Sequence, residues 1–249
     1  MQYGLCPLSI VPVRAEANDR AELVTQLIYG DIFEIISNQK NWIQIRIAFD
    51  TYEGWIDIKQ AFPIEENDFN ELKKRFFNCS QDLIEFVETA NNQLIPIPIG
   101  SNIAATNILQ HQFEGQVFNS KTFQKEKIAE IALLYLNAPY LWGGKTPFGI
   151  DCSGFTQMVY RICGYALQRD ASQQAKQGEA LSFIEESEPG DLAFFDNEEG
   201  SIIHVGIVLG DNYIIHAHGK VRIDRLDHTG IFNTENKTYS HNLRVIKSI

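Results

Sequence analysis

Between residues 8 and 60, apolar and polar positions alternate in short runs broken by turn residues. Ser9–Arg14, Ile32–Ile36, Trp42–Ile47 and Gly54–Ile58 each read as a strand, and Asn18-Asp19, Gly30-Asp31 and Ser37–Asn41 mark turns. Four strands in about fifty residues predict a small barrel. Pro12, which lacks a backbone N–H, points to an edge position. Residues 65–91 are charged and partly helical, Asn91–Gly100 is a proline-rich strand, and Gly115–Phe118 hints at another. From Ser120 the period lengthens to 3.6. Ile128, Ile131, Ala132, Tyr135 and Leu136 share one face of a helix spanning roughly 122–137. A glycine-rich loop, Trp142–Gly149, leads into a second helix with Phe155, Val159 and Ile162 on one face and Gly164 as its stop. Strands follow at Asp191–Phe195, Ile203–Leu209, Asn212–His218, Val221–Leu226 and Leu243–Lys247. Helices followed by an antiparallel meander predict an α+β class. The pattern divides the chain into residues 1–60, 61–120 and 121–249.

Charge narrows the function classes. The 249 residues carry 21 Lys+Arg against 32 Asp+Glu, a formal net charge of −11. A nucleic-acid binder needs a basic face to neutralise phosphates, and docking to anionic membranes needs the same, so neither partner is expected. No apolar run reaches the length of a membrane-spanning helix. The N-terminus, MQYGLCPLSIVPVRAEAND, has neither a basic leader nor an apolar export core, so a cytoplasmic location is expected. The spacing of Cys6, Cys79, Cys152 and Cys163 matches no zinc or redox pattern, so free thiols and no metal or cofactor are expected.

One cysteine stands apart. Asp151-Cys152-Ser153-Gly154 opens the second helix, where backbone N–H groups and the helix dipole favour a thiolate, so a lowered thiol pKa is expected. Cys163 falls on the apolar face of that helix and reads as core. A cysteine nucleophile needs a base, and the base needs an orienting group. With a turn near residues 210–211, a hairpin sets His204 opposite residues 216–218, and His216 and His218 point to the same face. Spacing alone leaves the choice between them open. His228 and His241 lie in polar, loop-like surroundings, and Lys145 reads as a solvated loop lysine.

Several of these blocks resemble known families. VPVRAEAND, AELVTQLIYGDIFEII, NWIQIRI and YEGWIDIKQ resemble a bacterial SH3-like domain. Tyr140–Gly144, Asp151–Phe155, Pro189–Leu192, His204–Ile207 and Ile215–Ala217, in this order, resemble the NlpC-type cell-wall cysteine peptidases. The resemblance implies a papain-like peptidase domain preceded by one or two SH3-like β-barrels, the second barrel or a structured linker spanning 61–120. It implies Cys152 as nucleophile, His204 as base, His216 as orienting residue and Tyr140 as an oxyanion donor, with Trp142 as a cleft-wall or core residue. The implied activity is hydrolysis of γ-D-glutamyl-diamino acid bonds in peptidoglycan stem peptides. Relatives with SH3-like domains include recycling enzymes that require a free N-terminal L-Ala. By that likeness Asp151, Ser153, Glu16 and Tyr52 would hold the substrate ammonium. Asp170 and Ser172, in the segment RDASQQ, are expected to line the cleft. The alternatives are a thiol amidase or acyltransferase on the same fold, and a non-catalytic wall-fragment binder.

Overall fold

The computed structural model describes residues 2–119 and 122–249 of the chain; the expected boundary at 120/121 lies outside the described residues. The chain divides into two compact units, one of Met1–Thr122 with Trp142–Pro147, the other of Phe123–Leu141 with Phe148–Ile249.

In the first unit, β1 (Tyr3–Leu5), β2 (Ile10–Arg14), β3 (Leu23–Ile28), β4 (Ile32–Gln39), β5 (Trp42–Ile47), β6 (Glu53–Asp57) and β7 (Phe62–Ile64) form one antiparallel sheet. Its order is β3-β2-β6-β5-β4-β1-β7. The alternation that predicted these strands is the burial pattern itself: in β5, Ile43, Ile45 and Ile47 point inward and Trp42, Gln44 and Arg46 do not. β1 and β3 escape the sequence pattern, because β1 has three residues and β3 is buried along its second half. Pro12 lies in β2, second in the sheet and not at its edge. It is tolerated because β2 meets β6 only at Arg14↔Trp55.

Beyond the sheet come α1 (Glu66–Lys73), β8 (Asn78–Ser80), β9 (Ile84–Glu88), β10 (Leu94–Pro98), α2 (Thr106–Leu109), β11 (Val117–Asn119) and the two-residue β12 (Lys145–Thr146). Phe69, Leu72, Val87, Ile97 and Ala105 from this region share a core with Leu5, Tyr29 and Ile32 of the sheet region. Lys145 is buried, not solvated, and its N–H donates to Gln26 Oε1 at 2.8 Å.

The second unit opens with α3 (Ile128–Leu134). It is shorter than the periodicity suggests: a separate 3-10 turn, Lys125–Lys127, precedes it, and Asn137, at φ +69°, lies beyond its end. After the two-residue β13 (Gly149–Ile150) comes α4 (Cys152–Ile162), followed by α5 (Ala171–Gln174) and β14 (Glu179–Ala180). The amphipathic stripe read from sequence understates α4: all eleven residues are buried, and the helix lies against α3 and the sheet. Gly164, at φ +92°, stops it as expected.

The sheet comprises β15 (Leu192–Asp196), β16 (Ile202–Leu209), β17 (Tyr213–His218), β18 (Lys220–Leu226), β19 (Gly230–Asn233) and β20 (Thr238–Ser248). β20 pairs with both β15 and β19, which closes the six strands into a ring. Ala193, Phe195, Val208, Ile214, Leu226, Ile231 and Ile246 fill one core of this unit. β16 and β17 carry α4 against them, so β16 reads IIHVGIVL, nearly continuous in apolar residues.

Closure depends on Gly230. Its φ is +148°, and a Cβ there would stand 1.8 Å from the carbonyl oxygen of His241. Gly230→Ala is therefore expected to cost at least about 1–3 kcal/mol, read as a lower urea midpoint at unchanged slope.

Candidate active site

Three segments far apart in sequence build the site: the start of α4, the facing ends of β16 and β17, and β18. Asp151 is the N-cap of α4, and its Oδ1 accepts the Gly154 N–H at 2.7 Å. This places Cys152, only 8% exposed, as the first helical residue, with the amides of Ser153 and Val205 donating to its sulfur. Val205 directly follows His204 on β16.

The expected acidification of the thiol is not found. Burial pushes the Cys152 thiol up to about 12, and the Asp151 carboxylate adds to this. The two amides and Arg169 recover only part of the shift. The helix dipole favours a thiolate, but a site this enclosed removes the water that would stabilise it. At rest the sulfur carries its proton.

The register of the β16–β17 hairpin is Gly206↔His216, which makes His204 and His216 diagonal neighbours on one face. Their nitrogens meet: His204 Nε2 lies 2.8 Å from His216 Nδ1. His218, on the same strand face, is exposed and sits 6.5 Å from the His204 ring, so the choice left open by spacing falls to His216. The chain of contacts continues to a residue the sequence reading missed. His216 Nε2 stands 3.0 Å from Asp224 Oδ2, and Arg222 donates to both oxygens of that carboxylate at 2.6 and 2.9 Å.

The protonation of this chain follows from its far end. Burial raises the Asp224 carboxyl, but donors from His216 and Arg222 outweigh it and hold the group below the usual carboxylate range. An ionised carboxylate only accepts, so His216 donates from Nε2. Burial holds His216 below its ordinary pKa despite Asp224, and it holds His204 well below. Both rings are neutral at pH 7. Nδ1 of His216 then accepts, Nε2 of His204 donates, and Nδ1 of His204 keeps its lone pair. Asp224→Asn replaces the charged acceptor with an amide that can donate, which loosens the tautomer of His216. The expected result is a fall in kcat/KM of about 10–100-fold, with substrate KM little changed.

His241 corrects a second expectation. It is not in a loop: β20 carries it beside the site, where its ring stacks on His204 at 4.1 Å and 19°. Register shifts in both strands flanking β20 obscure this in the sequence. His204, His216 and His241 each offer a ring nitrogen within 4.8 Å of the others, so this group is the one among the described residues with the donors for a metal ion.

Asp151 and Ser153 flank Cys152 in the chain, and both contact Arg169. Arg169, 1% exposed, donates from Nη1 to Asp151 Oδ1 at 3.0 Å and to Ser153 Oγ at 3.0 Å, and from Nη2 to Asp151 Oδ2 at 2.5 Å. The carboxylate assigned to a substrate ammonium is thus engaged by a helix amide and a guanidinium. Burial pushes the Tyr140 hydroxyl up to about 12, and the Cys152 sulfur adds to this, so the phenol keeps its proton and can donate. Asp170 is the N-cap of α5 and Ser172 is exposed on it.

The remaining expected residues belong to the first unit. Glu16 is exposed and lines a shallow groove with Asn18, Gln39 and Trp55. Tyr52 packs half-buried against the sheet core. Trp142 is not core: it is 63% exposed, and its Nε1 donates to Glu22 Oε1 at 2.7 Å.

The second unit thus holds a buried thiol at a helix start and a strand-borne imidazole chain. The NlpC/P60 family model matches residues 137–239, and the model of a bacterial dipeptidyl-peptidase Sh3 domain matches residues 13–60. Dipeptidyl-peptidase 6 of Lysinibacillus sphaericus is 30% identical over 252 aligned residues, covering 86% of this chain and 88% of that protein. Gamma-D-glutamyl-L-lysine dipeptidyl-peptidase of Bacillus subtilis (strain 168) is 27% identical over 212 residues, covering 78% of this chain and 71% of that one. The chain belongs to the NlpC/P60 family. A crystal structure of an NlpC/P60 family protein from Bacillus cereus ATCC 10987 shares the fold over 99% of both chains, with TM-score 0.75 at 17% identity. The protein is therefore a peptidase of a peptidoglycan-hydrolase family, with a papain-like domain and an SH3-like domain. No helix among the described residues is long and apolar enough to cross a membrane.

Proposed function

We propose that the protein is a cysteine peptidase that hydrolyses the γ-D-glutamyl-diamino acid bond of stem peptides whose N-terminal L-Ala is free, in the recycling of wall fragments. The observation that carries this reading is the Cys152, His204, His216 and Asp224 arrangement. The name of the Bacillus subtilis relative supports the bond type.

In this reading His204 Nδ1 takes the Cys152 proton as sulfur attacks the γ-carbonyl carbon. The proton passes to the leaving amine as the C–N bond breaks and a thioester remains. His204 then deprotonates water, which attacks the thioester, and the sulfur regains its proton. The Cys152 N–H and the Tyr140 hydroxyl donate to the oxyanion as charge develops on the carbonyl oxygen. The residues assigned to the ammonium are Asp151, Ser153, Glu16 and Tyr52. Residues 1–60 form an SH3-like barrel that selects substrates, and residues 61–120 are a second, divergent SH3-like domain or a structured linker.

The test is incubation with L-Ala-γ-D-Glu linked to diaminopimelate or L-lysine, with and without an N-acetyl block, followed by product analysis. The expected products are L-Ala-D-Glu and the free diamino acid, from the unblocked peptides only. Equal cleavage of blocked and free peptides overturns the amine requirement. Intact peptides in every arm overturn the bond assignment. Transfer to an added amine in place of water indicates an acyltransferase.

A further inference from the structure

Four imidazoles, of His204, His216, His218 and His241, crowd one patch of the second unit, and the reaction above uses two. His241 is built as part of the same group. Its Nδ1 is engaged by Ser240 Oγ at 2.9 Å, which leaves Nε2 as its remaining donor atom. His216 is backed through Nε2 by Asp224, which turns Nδ1 inward with its lone pair. His204 presents Nε2 to that same point, 2.8 Å away. An imidazole backed through its second nitrogen by a carboxylate or hydroxyl is the arrangement that ligating histidines adopt around metals. Three imidazole nitrogens select a borderline-soft divalent cation such as Zn²⁺ over Mg²⁺ or Ca²⁺, which take oxygen ligands.

We propose that His204, His216 and His241 form a binding site for a Zn²⁺-class cation, and that occupancy switches catalysis off. The ion takes the place of the proton lying between His204 and His216. Coordinate bonds form from His204 Nε2, His216 Nδ1 and His241 Nε2. The proton on His204 Nε2 moves to its Nδ1, so no proton is gained or lost overall. With Nδ1 protonated, His204 has no lone pair for the Cys152 thiol, and the base is removed without any change at the sulfur. His241 stacks nearly parallel on His204, so its ring must tilt to aim at the ion. That tilt limits affinity and makes the ion a reversible inhibitor, distinct from a resident cofactor. The proposal stands on the histidine geometry and does not depend on which peptide bond is cleaved.

The test is calorimetric titration of Zn²⁺ into the full-length chain carrying Cys152→Ala, which removes the thiol as a competing ligand. The expected result is one ion per chain, no binding of Mg²⁺, and affinity lowered more than about tenfold when His241→Phe is added. His241→Asn in the same background is expected to lose affinity likewise, and circular-dichroism melts establish that each variant is folded. Failure of the Cys152→Ala chain to bind Zn²⁺ overturns the proposal, because the thiol alone would then account for any zinc inhibition. Unchanged affinity in the folded His241 variants also overturns it.

Discussion

Cys152→Ala is expected to lower kcat by about 10⁴–10⁶-fold on the cleaved peptide while leaving the fold intact. The activity loss follows because the proposed chemistry runs through this sulfur alone; Cys163, the other cysteine of the second unit, caps the far end of α4. The fold survives because the cap of α4 is the Asp151 carboxylate and not the thiol, and alanine is the best helix former. Cys163→Ala is the matched control. It removes a buried sulfur of the same size and is expected to retain activity. Steady-state rates on both variants, with thermal melts, separate a chemical loss from a structural one.

Arg169→Met is expected to cost about 3–5 kcal/mol of stability and to lower activity as well. The guanidinium and the Asp151 carboxylate are both nearly sealed from water, at 1% and 6% exposure, and pair through two parallel contacts. Removing the guanidinium takes its charge away from a carboxylate that stays buried, which is far costlier than the pair is favourable. That carboxylate also sits beside Cys152. Arg169 is one of the groups that pull the thiol pKa down and Asp151 one that pushes it up, so the substitution moves the sulfur further from ionisation. Arg169→Lys keeps the charge without the planar fork, and it is expected to recover part of both losses. Urea unfolding monitored by far-ultraviolet circular dichroism reads the first effect. The pH dependence of Cys152 alkylation reads the second, with the midpoint shifted upward.

These two residues mark what the sequence reveals and what it hides. Cys152, His204 and His216 are legible because each is fixed by local structure: a helix start in one case, and two strands joined by a short turn in the other. Asp224 was within the same reach. The turn at Gly219 sets Arg222 opposite His216, and two residues on, Asp224 returns to the same face as a diagonal neighbour. Extending the hairpin arithmetic by one strand finds it. Arg169 leaves no such trace. It arrives from the loop after α4, and no periodicity relates it to Asp151, eighteen residues earlier. His241 is hidden differently: β20 is long and polar at that end, and the register shifts against β15 and β19 re-aim its side chain. The sequence displays the helix dipole but not the depth of burial that raises the Cys152 thiol. The strand pattern of residues 8–60 was read well because the sheet alternates with period 2, while the short helices and three-residue strands of 62–119 carry too few residues for a period to emerge.

The central claim is that the histidine chain rests neutral, with Asp224 fixing every proton in it, so that His204 offers Nδ1 as the base. Nitrogen NMR of the chain labelled at histidine tests this at pH 7. The expected spectrum shows His204 and His216 both neutral and both protonated at Nε2, with Asp224→Asn disturbing the His216 signal first. An imidazolium at His204, or a His204 tautomer protonated at Nδ1 in the metal-free chain, contradicts it.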